Sequence, residues 1–274
     1  MSDLSVKVKS SIRLIKSAAN AADSRGGSLE LAYSGGKDSE VMLHLAGLAG
    51  VHCRPIHKLT GIDHPATVQW VRSHNVEVFL PKINFFEGIE SYGFPFRTRR
   101  WCCRFLKEYK VEDFVLIGVR QVESKERAAR YREPHQCRFF RDRSYVQAFY
   151  PLLFWSNDDI FEFVKSERLP LNPLYYDSHG SLINARVGCI GCPLASKQVR
   201  RSDFVANPKM LREWLRHGSI FLKKHPSSFY DSSYDVMYSA LFCSSKYHFY
   251  RQVSHGVNTR LFFESYFGPN CLYD

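Results

Sequence analysis

The feature that most constrains this chain is a polar loop, SGGKDS (34–39), set between two apolar segments. The segment before it, LELAY (29–33), is short and apolar, and the segment after it, DSEVMLHLAGLAG, has apolar residues at helical spacing. Two adjacent glycines weaken a strand and a helix alike, so the pattern predicts a strand, a tight loop and a helix in succession. A lysine and an aspartate at that junction favour an anionic ligand.

Further apolar runs continue the alternation of strands and helices. We predict strands in VHCRPIH (51–57), VEVF (76–79) and VLIGV (115–119), with a helix in HPATVQWVRSH between the first two. Strands that alternate with helices indicate an α/β fold with a doubly wound, mainly parallel sheet. Ligands of such sheets bind beyond the carboxyl ends of the strands, which is where residues 34–39 are expected.

Three regions are predicted along the chain. Residues 1–27 form an N-terminal amphipathic helix, residues 28–200 form a nucleotide-binding domain with a cysteine cluster, and residues 201–274 form a smaller helical C-terminal region. The apolar face of the first helix comprises Leu4, Val8, Ile12, Ile15, Ala19 and Ala22. No run approaches the ~20 apolar residues of a membrane span, and lysines interrupt the N-terminal segment, so we expect a cytoplasmic protein without membrane contact.

The chemistry of the polar loop is that of a phosphate site. Glycines allow backbone N–H groups to point at phosphate oxygens, the following helix adds its positive end, and Lys37 adds a full charge. The alternative is a plain turn with a helix N-cap, which would explain only one residue, Asp38 or Ser39. The candidate phosphate-binding residues are Ser34, Gly35, Gly36, Lys37, Asp38 and Ser39.

This loop is identical to the PP-loop of the ATP pyrophosphatase superfamily. The chain therefore resembles that superfamily. The resemblance implies an adenine nucleotide α-hydrolase-like fold. It also implies binding of ATP, usually with Mg²⁺, and cleavage to AMP and pyrophosphate. Lys37 and Asp38 are then candidate catalytic residues.

Four later stretches narrow the resemblance to the phosphoadenosine phosphosulfate reductase branch of that superfamily. In the branch's Gly-x-Arg-x-x-Glu-Ser motif, Arg120 is implied to contact nucleotide phosphate and to act in catalysis, and Glu123 and Ser124 to bind nucleotide. The stretches that carry the resemblance follow one another in order: GFPFRTRRWCCRFLK (93–107), IGVRQVESKERAAR (117–130), YPLLFWSNDDIFEFVKSERLPLNPLYYD (150–177) and RVGCIGCPLAS (186–196).

Two departures favour ATP cleavage over reduction of a sulfonucleotide. The reductases as a family do not cleave ATP and carry a degenerate loop, whereas this loop keeps its Gly-Gly-Lys-Asp core. They also end in a Glu-Cys-Gly-type motif, which GPNCLYD (268–274) does not match. An ATP sulfurylase-like adenylyltransferase remains a further alternative, although it would not need the cysteines.

The eight cysteines are expected to stay reduced unless a metal binds them. Cys189 and Cys192 have the spacing that lets two sulfurs reach one metal centre, and Cys102 and Cys103 precede them. Four thiolates suit a 4Fe–4S cluster or zinc, and buried inert thiols are the other possibility. The resemblance to cluster-bearing relatives favours 4Fe–4S, with Cys137 as the alternative to Cys103.

Positive charge is concentrated in residues 97–143. The chain carries 38 Lys and Arg against 27 Asp and Glu, and this stretch alone has fourteen against seven. Interleaved aromatic residues, Trp101 among them, suit a nucleic acid with unstacked bases, and a solvated face that partly serves ATP is the alternative. Outside the family motifs, the best probes of a polyanion are Arg138, Arg141 and Arg143.

Together these features resemble the ATP pyrophosphatase and sulfurtransferase subunit of bacterial DNA phosphorothioation systems. The resemblance implies replacement of a phosphate oxygen of DNA by sulfur from a cysteine desulfurase, with further modification-system subunits, in antiphage defence. The alternatives are a sulfonucleotide reductase, an adenylyltransferase, and a nucleic-acid-binding subunit in which ATP and cluster serve only structure.

Overall fold

The computed structural model describes residues 3–109, 111–140, 143–183 and 187–273. Lys110, Arg141 and Arg186, which belong to the basic stretch or the family motifs, lie outside the described residues. In the described ranges, no helix is both long enough and apolar enough to span a membrane.

Helices and strands alternate in the first part of the chain and helices alone follow. In chain order they are α1 (Asp3–Asp23), β1 (Leu29–Ala32), α2 (Lys37–Ala49), β2 (Arg54–Lys58), α3 (Pro65–Ser73), β3 (Glu77–Phe79), α4 (Phe85–Tyr92), β4 (Phe114–Leu116), α5 (Lys125–Arg130), β5 (His135–Phe140), β6 (Arg143–Phe149), α6 (Asn157–Ser166), α7 (Lys197–Ala206), α8 (Pro208–Lys224), α9 (Ser233–Phe242), α10 (Lys246–Ser254) and α11 (Thr259–Phe267).

The chain divides into two compact units that do not follow chain order. The sheet unit comprises Met1–Leu59, His64–Leu80 and Glu108–Gly188, and the helical unit comprises Thr60–Asp63, Pro81–Lys107 and Cys189–Asp274. The boundaries predicted at residues 27 and 200 stay a prediction.

The sheet unit is built on one sheet with strand order β3-β2-β1-β4-β6-β5. All neighbours pair in parallel except β5 and β6, which are antiparallel. The α/β, doubly wound and mainly parallel fold class is therefore confirmed. The strand order runs outward in opposite directions from β1 and β4, so the crevice beyond their carboxyl ends is the place where such folds bind ligands.

The helix α1 packs on this sheet through the predicted apolar face. Leu4, Ile15, Ala19 and Ala22 are buried in the core that also contains Leu31 of β1. Val8 and Ile12 complete the face at partly buried positions. Because these residues recur every three or four positions, they fall on one side of the helix and remove it from water.

Sequence patterns identified four of the strands but missed the hairpin of β5 and β6. The strand β5 lies in the basic stretch and β6 begins at its last residue, and arginines here break up the apolar alternation that signals a strand. As the antiparallel edge of the sheet, β5 pairs with only one neighbour, so charged side chains are tolerated there.

The helical unit has its own hydrophobic core, which is rich in aromatic side chains. Trp214 of α8 is fully buried and packs against Phe85 of α4 and Phe204 of α7, at ring-centroid distances of 4.8 and 5.5 Å. Phe263 of α11 is also fully buried in this core. The prediction of helical structure after residue 200 agrees with α8 to α11.

Candidate functional site

The polar loop lies between β1 and α2, as the sequence predicted. Gly35 has a φ of +72°, a conformation that side-chain-bearing residues rarely adopt, and a Cβ there would lie 3.0 Å from Thr67 Cγ2. Gly36 caps α2 in an extended conformation. The glycines thus let the chain turn sharply from the end of a buried strand into a helix N-terminus, against the side chains of α3.

Backbone and hydroxyl groups hold this turn together. The Ser39 hydroxyl donates to the Gly36 carbonyl at 2.7 Å and lies 3.3 Å from the Ser34 hydroxyl. The Lys37 backbone N–H donates to the Tyr175 hydroxyl at 3.1 Å. Burial raises the pKa of Tyr175 to about 12, so this hydroxyl stays protonated at neutral pH.

Asp38 joins the two cations that the sequence assigned to nucleotide binding. Its Oδ1 accepts from Arg120 Nε at 2.6 Å, and its Oδ2 lies 3.3 Å from Lys37 Nζ. Lys37 comes from the residues after β1 and Arg120 from those after β4, the two strands that flank the switch point of the sheet. The fold therefore brings Arg120 to Asp38, which lies 82 positions earlier in the sequence, and Lys37 is next to Asp38.

Arg120 is almost completely buried, with 1% of its surface exposed. Its Nη2 donates to Asn157 Oδ1 at 2.9 Å, whereas its Nη1 is buried without a hydrogen-bond partner in the described part of the chain. A buried donor on a charged group costs more than the ~1–3 kcal/mol of a neutral one when it is left unpaired. The unpaired Nη1 is suited to an anionic oxygen.

Glu123 and Ser124 shape the segment that follows Arg120. The Glu123 carboxylate accepts the backbone N–H of Arg120 at 3.0 Å and pairs with the Arg127 guanidinium. The Ser124 hydroxyl caps α5 by accepting the Arg127 N–H at 3.1 Å. Their contacts thus fix the backbone that carries Arg120, and their predicted binding of nucleotide stays a prediction.

Sequence reasoning did not single out three residues that support the loop. Asn157 holds Arg120, Tyr175 accepts the Lys37 N–H, and the fully buried Asn172 donates to the Gly35 carbonyl at 3.2 Å. All three lie in the stretch 150–177, which was recognised only as a whole. Buried asparagine is uncommon without a hydrogen-bonding role, but the burial of Asn172 is visible only in the structure, so no sequence signal marked it.

The four predicted cysteine ligands all lie in the helical unit. Cys189 and Cys192 flank a turn in which Gly191 has a φ of +69°, and a Cβ on it would lie 2.3 Å from Phe204 Cζ. The Gly191 N–H donates to Asp203 at 3.0 Å, and its carbonyl accepts from Arg200 Nε at 3.2 Å. The turn is therefore held rigidly, and only glycine fits at its centre.

The thiols act on one another electrostatically. The pKa of Cys102 is raised, first by its hydrogen bond with Cys103, then by burial and by the charges of Cys103, Cys189 and Cys192. Burial likewise raises the pKa of Cys189, against the opposing charge of Lys107. Four thiolates this close repel one another, so their joint ionisation requires a positively charged centre.

Polar groups also surround Cys189. Its Sγ lies 3.5 Å from the Thr60 hydroxyl and 3.8 Å from Asp63 Oδ1. The Cys189 thiolate is the main cause of a raised pKa at Lys107, although much of the Lys107 side chain is exposed. A negatively charged centre held by these cysteines would be partly neutralised by this lysine.

Across the described residues, no three His, Cys, Asp or Glu side chains are placed to hold one metal ion. A 4Fe–4S cluster makes a different demand, because its four thiolates bind four different irons. The chemistry of the donor set, four mutually interacting thiols on a rigid turn and a neighbouring segment, fits such a group. Cys137, the alternative ligand, is exposed on β5 in the sheet unit.

One part of the nucleic-acid hypothesis is wrong. Trp101 was expected among exposed aromatic residues, but it is 5% exposed, stacks on Phe85 at 5.4 Å and donates to the Gly93 carbonyl at 2.9 Å. The wide apolar ring is worth more in the core than any contact at the surface. The arginines around it, Arg97, Arg99, Arg100 and Arg104, are exposed.

Comparison with known proteins assigns the nucleotide-binding part of the chain. The sequence pattern of the phosphoadenosine phosphosulfate reductase domain matches residues 28–195, more than half of the chain. The chain belongs to the phosphoadenosine phosphosulfate reductase domain family. This membership and the loop geometry support a nucleotide-binding enzyme of the PP-loop class.

Curated relatives are similar in sequence but considerably longer. Uncharacterized protein MJ0066 of Methanocaldococcus jannaschii is 29% identical over 211 residues, covering 71% of this chain and 42% of that protein. An uncharacterized 37.8 kDa protein of Escherichia phage 186 is 27% identical over 193 residues, covering 64% and 55%. The chain therefore spans about half the length of the curated relatives it matches.

Solved structures with related folds include a phosphoadenylyl-sulfate reductase from Candida auris. It is 16% identical, with a TM-score of 0.45, and the match covers 69% of this chain and 98% of that one. An FMN adenylyltransferase from Candida glabrata is 18% identical, with a TM-score of 0.44 and coverage of 68% and 64%.

Proposed function

We propose that this member of the phosphoadenosine phosphosulfate reductase family cleaves ATP to AMP and pyrophosphate in order to activate a nucleic-acid phosphate for sulfur insertion. A phosphate oxygen of the nucleic acid attacks the α-phosphorus of ATP, and pyrophosphate leaves. A sulfur nucleophile then attacks the activated phosphorus, and AMP leaves with the oxygen. The net result is a phosphorothioate.

The observation that carries the first step is the buried Arg120 beside the loop. Its Nη1, which has no partner among the described residues, offers a donor to a phosphate oxygen, and Lys37 offers a charge. These groups lie at the switch point of the sheet, where they would stabilise the charge that develops on a leaving pyrophosphate. Asp38 keeps both cations in position by pairing with each of them.

Mg²⁺ belongs to the same proposal, as the companion of the nucleotide. It binds mainly through phosphate oxygens and one or two carboxylates, and Asp38 is the carboxylate that the loop itself supplies. The exposed Ser34 hydroxyl can rotate from its 3.3 Å contact with Ser39 to donate to a phosphate oxygen, whereas the Ser39 hydroxyl donates to the Gly36 carbonyl and shapes the loop.

The cysteines support an iron–sulfur centre as the second component. Cys102, Cys103, Cys189 and Cys192 would hold a 4Fe–4S cluster, which supplies sulfur or electron chemistry when bound. Lys107 and the buried Arg200 place positive charge near the same thiols. Burial lowers the pKa of Arg200 to about 10, so this side chain is still a cation at neutral pH.

A nucleic acid, DNA in the first instance, is proposed as the sulfur acceptor. The support is the net charge of +7 in residues 97–143, which exceeds what one ATP requires. A cysteine desulfurase would supply the sulfur as a persulfide, and a pair of thiols would reduce it by two electrons to the sulfide that attacks the activated phosphorus. Further modification-system subunits would complete the reaction. Defence against phage is the corresponding role in the cell, and the cytoplasm is the corresponding location.

Reduction of a sulfonucleotide is the second candidate, because the family match favours it directly. The reductase reaction needs no cleavage of ATP. Incubation of the anaerobically purified chain with ATP, Mg²⁺ and sulfide, with and without DNA, separates the two candidates by the release of AMP and pyrophosphate. Sulfite release from a sulfonucleotide without any AMP from ATP would support the reductase instead.

Arg120→Lys is expected to lower kcat/KM for pyrophosphate release by roughly 10- to 150-fold. The lysine keeps the charge but cannot replace the guanidinium donors, and one charge-assisted contact is worth about 1.5–3 kcal/mol. The measurement is a steady-state pyrophosphate assay. Arg54→Lys is the control, since Arg54 is an arginine paired with the carboxylates of Glu77 and Glu112, but it begins β2, at the opposite end of the strands. Equal losses in both variants would contradict a specific role for Arg120.

Replacing Arg138, Arg141 and Arg143 by alanine is expected to weaken DNA binding and to flatten its salt dependence. Each lost phosphate contact removes roughly 0.7–0.9 from the slope of log affinity against log salt. ATP affinity should not change. The control carries the same change of charge on α1, by replacing the exposed Lys9, Arg13 and Lys16 with alanine. If the control flattens the slope equally, the effect is one of net charge alone.

A further inference from the structure

Exposed aromatic side chains lie on α10 and in the loop before α9. Tyr247 is 79% exposed and Tyr250 is 51% exposed, and Phe229, in the loop before α9, is 45% exposed. Isolated apolar residues on a surface are common, but neighbouring exposed rings mark an interaction site. We call Phe229, Lys246, Tyr247, Tyr250 and Arg251 the α10 surface.

The α10 surface is held in place from below by a buried ring. Phe249 is 4% exposed and packs against Tyr230 at a ring-centroid distance of 5.1 Å. Ser245 caps the helix by accepting the His248 N–H at 3.1 Å. Because successive residues of a helix are about 100° apart, burial of position 249 turns positions 247 and 251 outward on the opposite side.

The rings and cations of this surface are adjacent to one another. Lys246 Nζ lies 4.1 Å from the centre of the Phe229 ring, and Phe229 and Tyr250 are in edge-to-face contact at 6.3 Å. Tyr247 and Arg251 are separated by four residues, so they are neighbours on the helix surface. The surface therefore alternates ring faces with positive charges.

The charge of this segment indicates what kind of partner fits. Residues 236–263 contain no Asp or Glu, whereas Lys246, Arg251 and Arg260 lie within them. An anionic partner is complementary to that charge, and a partner with flat, unpaired rings can stack on the tyrosines. A nucleic-acid strand with unstacked bases has both properties, whereas a duplex keeps its base faces covered.

We propose that the α10 surface binds single-stranded nucleic acid, with bases stacked on Tyr247 and Tyr250 and phosphates at Lys246 and Arg251. The choice of a nucleic acid over other polyanions rests on the proposed function. The inference that this surface binds a partner rests on the exposure and contacts of its own residues. The acceptor strand would then bind with at least two of its bases unpaired. Substrate selection would favour single-stranded or locally opened nucleic acid over intact duplex.

The test compares Tyr247→Ala/Tyr250→Ala with the parent chain by fluorescence anisotropy. The probes are a fluorescein-labelled oligothymidine of about 15 nucleotides and an abasic strand of the same length. We expect the double variant to bind the oligothymidine at least about fivefold more weakly and the abasic strand as the parent does. Equal losses on both strands, or no loss on either, would overturn the proposal.

Control variants separate stacking from general damage. Tyr247→Phe/Tyr250→Phe keeps the rings and should bind as the parent does, and so should Leu261→Ala, which removes an apolar side chain that is 61% exposed on α11. If the phenylalanine variant loses as much as the alanine variant, stacking is excluded. If the parent is a dimer, the alanine variant is a monomer and both bind the strand equally, the surface binds a second copy of the chain instead.

Failure of this proposal can be distinguished from failure of the proposed function. Release of pyrophosphate is measured with the abasic strand, which offers acceptor phosphates but no bases, in the parent and in the double variant, and the two should be equal. Base-dependent binding without ATP cleavage would leave the α10 surface established and remove the proposed reaction. ATP cleavage without base-dependent binding would do the reverse.

Discussion

We expect Lys37→Ala to abolish pyrophosphate release while the fold remains intact. Lys37 Nζ contacts Asp38 at 3.3 Å and lies among the groups that would face the phosphates of ATP. Loss of one charge-assisted contact removes about 1.5–3 kcal/mol of binding, and loss of a group that stabilises developing charge costs a further ~10²–10³ in rate. The measurement is pyrophosphate release together with thermal unfolding.

Two further variants make that experiment specific. Lys37→Met keeps most of the buried side-chain volume and removes only the charge, so it should be as inactive as the alanine variant. Lys16→Ala removes an exposed lysine from α1 and should behave like the parent. Unchanged release of AMP by Lys37→Ala would exclude the proposed ATP cleavage.

The second large effect is expected at the cysteines. The chain purified without oxygen should be brown and contain about four irons, and Cys189→Ser or Cys192→Ser should bleach it. Both residues belong to the rigid turn around Gly191, so serine at either position removes a ligand without altering the backbone. Absorbance and analysis of iron and sulfide are the measurements, and neither depends on activity.

Other substitutions identify the remaining ligands and the metal. Cys53→Ser is the control, because Cys53 packs against the core of the sheet unit and should not affect colour. Loss of iron in Cys137→Ser with retention in Cys103→Ser would replace Cys103 in the ligand set. Stoichiometric zinc in colourless, active protein would show that the metal is zinc and not iron.

Local patterns in the sequence were sufficient for the strand, loop and helix around residues 34–39. Apolar runs that alternate between strands and helices predict a parallel sheet. Two glycines followed by a lysine, between a strand and a helix, favour a phosphate-binding turn over an ordinary turn. The edge hairpin of β5 and β6 was missed because an edge strand need not alternate apolar and polar residues. Its pairing comes from neighbouring strands, which the local sequence does not reveal.

Which aromatic rings are buried and which are exposed is seen only in the structure, because the spacing of residues in the sequence does not predict it. Trp101 lies in a run of arginines, yet its ring fills space in the core of the helical unit against Gly88 and Phe85. Tyr247 and Tyr250 lie in a less charged run, yet both are exposed because Phe249 takes the inward position of α10.

The sequence by itself determined the α/β class and the strand, loop and helix around residues 34–39, because both depend on residues close together in the chain. Phosphate binding by the loop and the set of cysteine ligands stay predictions. Only the tertiary structure brought Arg120 to Asp38, left Arg120 Nη1 without a partner among the described residues and placed Asn157 and Tyr175 around them. It also placed the four cysteines in a unit separate from the loop. These arrangements join residues distant in sequence, and only the packing of the whole chain determines which distant side chains meet.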